Sequence, residues 1–163
     1  MAVPAMASPS PFYALDPTRV GLDAARSKYA AAVAPTVGPE RMEPVDLVVC
    51  GTVAVDRRGT RVGKGAGYSD LEIAILTEAG LIGPRTTIVT TVHDLQVVDA
   101  ELPETEHDFR VDVIVTPEQV ICCEPRSRPA GIVWAHLNGE KIRAIPALAA
   151  RAEAQRPADR FER

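Results

Sequence analysis

No apolar run in this chain approaches the roughly 20 residues that a helix needs to cross a bilayer, so a helical membrane protein is not expected. Cysteine is nearly absent. Cys50, Cys122 and Cys123 are odd in number, two are adjacent, and no C-x-x-C pair occurs. Neither a disulfide framework nor a cysteine zinc site is written here. Three reduced thiols suit a cytoplasmic protein, and a small buried apolar side chain is the plain reading of each. The first residues, MAVPAMASPSPF, have no basic segment and no continuous apolar core, which is not the pattern of a secretory signal. Lysine occurs only at Lys28, Lys64 and Lys141, and the formal net charge is −4. That balance excludes a general electrostatic nucleic-acid binder, though not a local cationic pocket. There is no internal repeat. Neither the G-x-x-x-x-G-K-[ST] phosphate loop nor the G-x-G-x-x-G dinucleotide fingerprint occurs, so a generic NAD-binding domain is poorly supported.

What is present is an ordinary globular balance: 163 residues, 46% hydrophobic and 25% charged, enough for one domain with a sizeable core. Residues 1–44 hold seven of the fourteen prolines and are expected to be a partly ordered Pro/Ala-rich segment, with a short strand over 11–15 and a helix over 22–33. Residues 45–155 read as an α/β domain, and 156–163 as a polar tail. The run VDLVVCGTVAV over 45–55 predicts a buried strand bent at Gly51. Further strands are expected over 86–92, 95–98, 110–115 and 132–137. A helix is predicted to start at Ser69, with Ser69 and Glu72 forming a capping box and Gly80 ending it. Another is predicted to start at Thr116-Pro117-Glu118-Gln119. Asn138 is expected to cap a C-terminal helix interrupted near Pro146. Strands alternating with helices imply α/β with a mainly parallel sheet.

The informative stretch is Arg61-Val62-Gly63-Lys64-Gly65-Ala66-Gly67-Tyr68-Ser69-Asp70. Three alternating glycines let the backbone bring its N–H groups close to a bound group, and the loop empties into a helix N-terminus, which favours an anion. Arg61 and Lys64 add two cations. Together these describe a phosphate cradle, although a glycine loop also serves simply as a tight strand-to-helix turn. Asp70 in a first helical turn is explained by the dipole alone. With Asp108, from the cluster Glu106-His107-Asp108, it would also suit Mg²⁺, which takes a few protein oxygens plus phosphate and water. His93 and His107 are ordinary loop or core histidines on this reading.

The ordered series resembles the 5-formyltetrahydrofolate cyclo-ligase family. Arg61 to Asp70 is similar to that family's R-[LIV]-G-x-G-x-G-Y-Y-D hallmark. Gln96, Leu102-Pro103, His107-Asp108 and Val111-Asp112 follow in its order, and Ile114-Val115-Thr116-Pro117 completes the run over residues 44–121. The resemblance implies a Rossmann-like three-layer sandwich and an ATP- and Mg²⁺-dependent closure of 5-formyltetrahydrofolate to 5,10-methenyltetrahydrofolate. It implies that Arg61, Gly63, Lys64, Gly65, Ala66, Gly67, Tyr68 and Ser69 line ATP, with Arg61 and Lys64 as the catalytic cations. Lys64 to Tyr68 would also border the folate, and Asp70 and Asp108 would hold Mg²⁺.

Two departures bear on activity. Ser69 stands where the family has a second aromatic, and GKGAGYSDLE is closer to a divergent branch, the methenyltetrahydrofolate synthetase domain-containing proteins. The family's basic N-terminal helix and first strands also have no counterpart here, since the first positive side chain is Arg19. The expectation is a cyclo-ligase-like protein with reduced or lost turnover, shortened at its N-terminus and able to self-associate through an uncovered sheet edge. The competing reading is a non-catalytic nucleotide-binding or interaction protein on the same scaffold. Neither a membrane nor a nucleic acid is expected as partner.

Overall fold

The structure, a computed structural model, describes residues 1–124 and 128–155. The tail expected over 156–163 lies outside the described residues. In chain order the elements are β1 (Phe12–Tyr13), α1 (Ser27–Val33), β2 (Thr36–Val37), β3 (Leu47–Cys50), β4 (Ala54–Asp56), β5 (Arg61–Val62), α2 (Tyr68–Glu78), β6 (Thr87–Thr91), β7 (Val97–Val98), β8 (Val113–Val115), β9 (Val120–Cys122), α3 (Gly139–Ala144) and α4 (Pro146–Ala154), with short 3₁₀ turns between several of them. The described residues form two compact units, one of 1–42 with 133–155, the other within 43–132.

The first unit pairs β1 with β2 in antiparallel register, Phe12 opposite Val37. Met6, Phe12, Ala30, Ile145 and Leu148 are buried. The helix expected over 22–33 is shorter than its composition suggested: Leu22–Ala25 is a 3₁₀ turn and only Ser27–Val33 is α-helical. Asn138 caps α3 as expected, its Oδ1 accepting the Lys141 N–H at 2.7 Å. Pro146 starts α4 because the chain cannot continue α3 through a residue without an N–H. The strand expected over 132–137 is instead a 3₁₀ turn at Trp134–His136.

The second unit is mixed α/β. Its main sheet has the order β3-β6-β8-β9, with β3 parallel to β6, β6 parallel to β8, and β9 antiparallel to β8. A smaller sheet runs β5-β4-β7. The apolar run over 45–55 is therefore not one bent strand. It breaks at Gly51, Thr52 and Val53, so that β3 joins one sheet and β4 the other. Ile88, Thr90 and Ile114 are fully buried, and α2 adds Leu71, Ile73, Ala74, Ile75 and Leu76 to the core. Leu47, Val49 and Val120 are exposed; they stand at positions that alternate with these along the strands.

Residues 116–119 begin no helix. Thr116 Oγ1 accepts the N–H groups of Glu118 and Gln119, and the Thr116 N–H donates to the Gln119 carbonyl. This closes a tight hairpin between β8 and β9, because a threonine hydroxyl can offer the backbone an alternative to helical bonding. Helix α2 likewise has no capping box. Its N-cap is Gly67, held at φ +70°, with no side-chain cap; that left-handed conformation suits glycine because it has no Cβ to clash. Ser69 and Glu72 lie inside the helix. Its C-terminus closes as predicted, with Gly80 N–H to Thr77 and Leu81 N–H to Leu76, the bonding pair of a Schellman motif.

Candidate functional site

Asp56 sets up the approach to the glycine loop. Its carboxylate accepts the backbone N–H groups of Arg58 and Thr60, which holds the expected turn and returns the chain as β5. At the end of that turn Gly59 has φ +86°, and a Cβ there would stand 2.2 Å from the Val111 carbonyl oxygen. The close approach is used: the Val111 N–H donates to the Gly59 carbonyl at 2.9 Å. The segment around Phe109 is thereby drawn alongside Arg61.

The Arg61 guanidinium lies 4.1 Å from the centroid of the Phe109 ring, a cation–π distance. Its Nη2 donates to Asp70 at 3.0 Å. Among the described residues its Nε is buried without a partner. Burial pushes the Asp70 carboxyl above the usual carboxylate range, opposed by Arg61 and reinforced by the Asp108 charge. Asp108 is therefore near enough for its charge to act on Asp70. Asp108 is held by the Thr105 N–H and hydroxyl at 2.7 and 2.9 Å. Burial also raises Glu72, to about 7, partly offset by Arg61 and increased by Asp70. Sequence reasoning gave Glu72 to a capping box and so missed a third acid in this cluster.

Above the pair lies a cleft of about 340 Å³ lined by Gly51, Thr52, Val53, Arg61, Gly63, Lys64, Ala66, Gly67, Tyr68, Ser69 and Asp70. That is within the usual range for small-molecule sites. It gathers most of the predicted loop residues; Asp108 is not among its lining. Lys64 is exposed at its rim. Among the described residues, none of the backbone N–H groups from 64 to 69 finds a backbone or side-chain acceptor. These donors at a loop–helix junction are the physical content of an anion site.

For a hard divalent cation, the donor chemistry fits: two carboxylates feel each other's charge, and a cation would relieve that repulsion. Among the described residues no group of three or more His, Cys, Asp or Glu is placed to hold a metal, so such an ion would take its remaining oxygens from a ligand and water. No helix among the described residues is long and apolar enough to cross a membrane.

The signals found in the residues are matched by comparison with known proteins. The methenyltetrahydrofolate synthase domain-containing protein of Bos taurus is 47% identical over 117 residues, and that of Homo sapiens 47% over 116, each alignment covering 69% of this chain and 30% of the relative. The mitochondrial 5-formyltetrahydrofolate cyclo-ligase of Arabidopsis thaliana is 33% identical over 88 residues, covering 52% of this chain and 32% of that protein. The chain thus spans under a third of the length of these curated relatives. The family profile matches residues 8–117, a stretch that contains the glycine loop, the Arg61–Asp70 pair and Asp108. The chain belongs to the 5-formyltetrahydrofolate cyclo-ligase family.

Proposed function

We propose that the cleft binds the triphosphate of ATP and is the site of cyclo-ligase chemistry on a reduced folate. The observation that carries this reading is the row of unpartnered backbone N–H groups from 64 to 69 beside the exposed Lys64. In the family reaction the formyl oxygen attacks the γ-phosphorus and ADP leaves. N10 then attacks the activated carbon, and phosphate departs as the ring closes. Such chemistry asks mainly for positioning and charge neutralisation. The loop N–H groups and Lys64 would hold phosphate oxygens. Lys64 to Tyr68 would also border the folate, and Asp70 and Asp108 would hold Mg²⁺. A bound Mg²⁺ would supply neutralisation of the transferring phosphoryl group. Arg61 would contribute its charge from the cleft lining.

One observation favours a second reading, a nucleotide-binding protein with weak or no turnover. Arg61 is committed to Asp70 and Phe109, which leaves Lys64 as the exposed cation lining the cleft among the described residues. Loss of one clamp on a developing charge costs on the order of 10²–10³ in rate. We therefore infer ATP binding with reduced cyclo-ligase activity, on a Rossmann-like three-layer scaffold. The edge strand β3, whose Leu47 and Val49 are exposed, is the surface we assign to self-association. Three free cysteines support a reducing, cytoplasmic setting.

The test is a calorimetric titration with ATP in the presence and absence of Mg²⁺, followed by incubation with 5-formyltetrahydrofolate and measurement of methenyltetrahydrofolate absorbance. Saturable Mg²⁺-dependent binding with slow turnover is expected. Absence of ATP binding overturns the nucleotide site. Turnover of about 1–10³ s⁻¹, ordinary for enzymes, overturns the reduced-activity reading.

A further inference from the structure

Gln96 follows the glycine loop in the motif order but lies outside the cleft lining, and the chemistry above gives it no part. Its side chain nevertheless reaches the cleft wall. Nε2 donates to the carbonyls of Thr52 and Val53, both at 3.0 Å. Its Oε1 accepts the His93 N–H at 2.9 Å, and His93 Nδ1 accepts the Leu95 N–H. One amide therefore links the 3₁₀ turn Asp94–Gln96 after β6 to the break between β3 and β4. A second tie lies beside it: Thr90 Oγ1 stands 3.0 Å from the Cys50 carbonyl and 2.7 Å from Thr52 Oγ1. Thr52 and Val53 form the wall facing the glycine loop. In that break the carbonyls of Thr52 and Val53 have no ladder partner to hold them in strand pairing, so side-chain donors take that place.

We infer that Gln96 is a positioning residue for the cleft: it pins the 51–53 break and so sets the spacing between that wall and the phosphate-facing loop. The inference rests on the nucleotide reading for its functional consequence, but the pinning itself is separately measurable. Binding sites depend on walls held to a fraction of an ångström by supporting hydrogen bonds.

The experiment compares Gln96→Glu and Gln96→Leu with the parent. An ionised glutamate keeps the acceptor for His93 N–H, and so spares the turn, but cannot donate to the two carbonyls. The leucine loses both. Readouts are ATP affinity, the thermal midpoint, and hydrogen exchange of the Val53 amide, which donates to the Val62 carbonyl at 2.9 Å. Both variants are expected to lose about tenfold in ATP affinity and in Val53 protection, with amides of α2 as in the parent and only a small fall in the midpoint. A parent-like Gln96→Glu overturns the inference, because only the turn cap would then matter. Protection lost evenly across α2 and the main sheet also overturns it, since Gln96 would be a general fold residue. If the parent binds no ATP, the nucleotide reading fails by itself. The Val53 exchange in Gln96→Glu then decides, acceleration confined to the break upholding the pinning and parent-like exchange overturning it.

Discussion

Arg61 donates from Nη2 to Asp70 Oδ1 across 3.0 Å, with only 3% of the arginine side chain and 18% of the aspartate side chain exposed. The pair joins β5 to the first turn of α2 within the cleft lining, and its two ends respond differently to mutation. Arg61→Met leaves Asp70 half-buried without its cation and removes the contact with Phe109; a loss of about 3 kcal/mol is expected from breaking such a pair. Asp70→Asn keeps an oxygen for Arg61, and the nearby Glu72 carboxyl supplies charge when it ionises. Its cost is expected to stay within about 1 kcal/mol, while the Mg²⁺ dependence of ATP binding disappears. Urea unfolding of both variants, with ATP titration of Asp70→Asn, checks the asymmetry.

Lys64→Ala is expected to weaken ATP binding about tenfold, whereas Lys141→Ala leaves it unchanged. Lys64 lines the cleft; Lys141 lies on α3. A charge-assisted phosphate contact is worth more than a solvated surface charge, whose contribution is usually about 1 kcal/mol or less. Equal affinities of the two variants would remove the cradle.

Glu72 makes stability depend on pH in a defined direction. Its folded value, about 7, lies above the ordinary 4.5, so the folded chain holds the proton more tightly than the unfolded one. Stability from this group is full below about 4.5 and falls as pH rises through about 7, by on the order of 3 kcal/mol at about 1.4 kcal/mol per tenfold change in proton affinity. Glu72→Gln should flatten this slope in denaturant midpoints measured between pH 4.5 and 8. Asp70→Asn should move the slope to lower pH, because the Asp70 charge helps raise Glu72.

Thr116→Val should cost about 2 kcal/mol. The lost hydroxyl accepts from two backbone N–H groups and donates to Asp94 Oδ1 at 2.5 Å, and a buried polar group left unmade carries its desolvation penalty. Thermal unfolding of the variant measures it, and Thr116→Ser should recover most of the loss.

The loop was legible because its signals are local: alternating glycines, two cations and an acid within ten positions. The pairing of Asp108 with Asp70 rested on two loops of a parallel sheet sharing one edge and on the family resemblance. What was illegible depended on competition between neighbours. Ser69 and Glu72 have the spacing of a capping box, yet Gly67, which tolerates the left-handed turn, starts the helix first, and Glu72 lies inside the helix, where the Arg61 and Asp70 charges act on it. Thr116-Pro117-Glu118-Gln119 has the composition of a helix start, but the hydroxyl of Thr116 satisfies the turn's N–H groups, leaving Val120 free to pair with Val115. The roles of Phe109 and Gln96 depend on contacts 48 and 43–44 positions distant, which no periodicity reports.

The approach of Val111 to Gly59 carries a genetic consequence. Every missense change at that codon adds at least a Cβ, and a Cβ there would lie 2.2 Å from the Val111 carbonyl oxygen, in a segment tied to Gly59 by the Val111 N–H bond. The φ of +86° penalises the same substitutions a second time. Heritable variation should accordingly be purged at this codon ahead of the glycines of the cleft rim, and a missense allele at Gly59 would act by removing folded protein and not by altering what the protein binds.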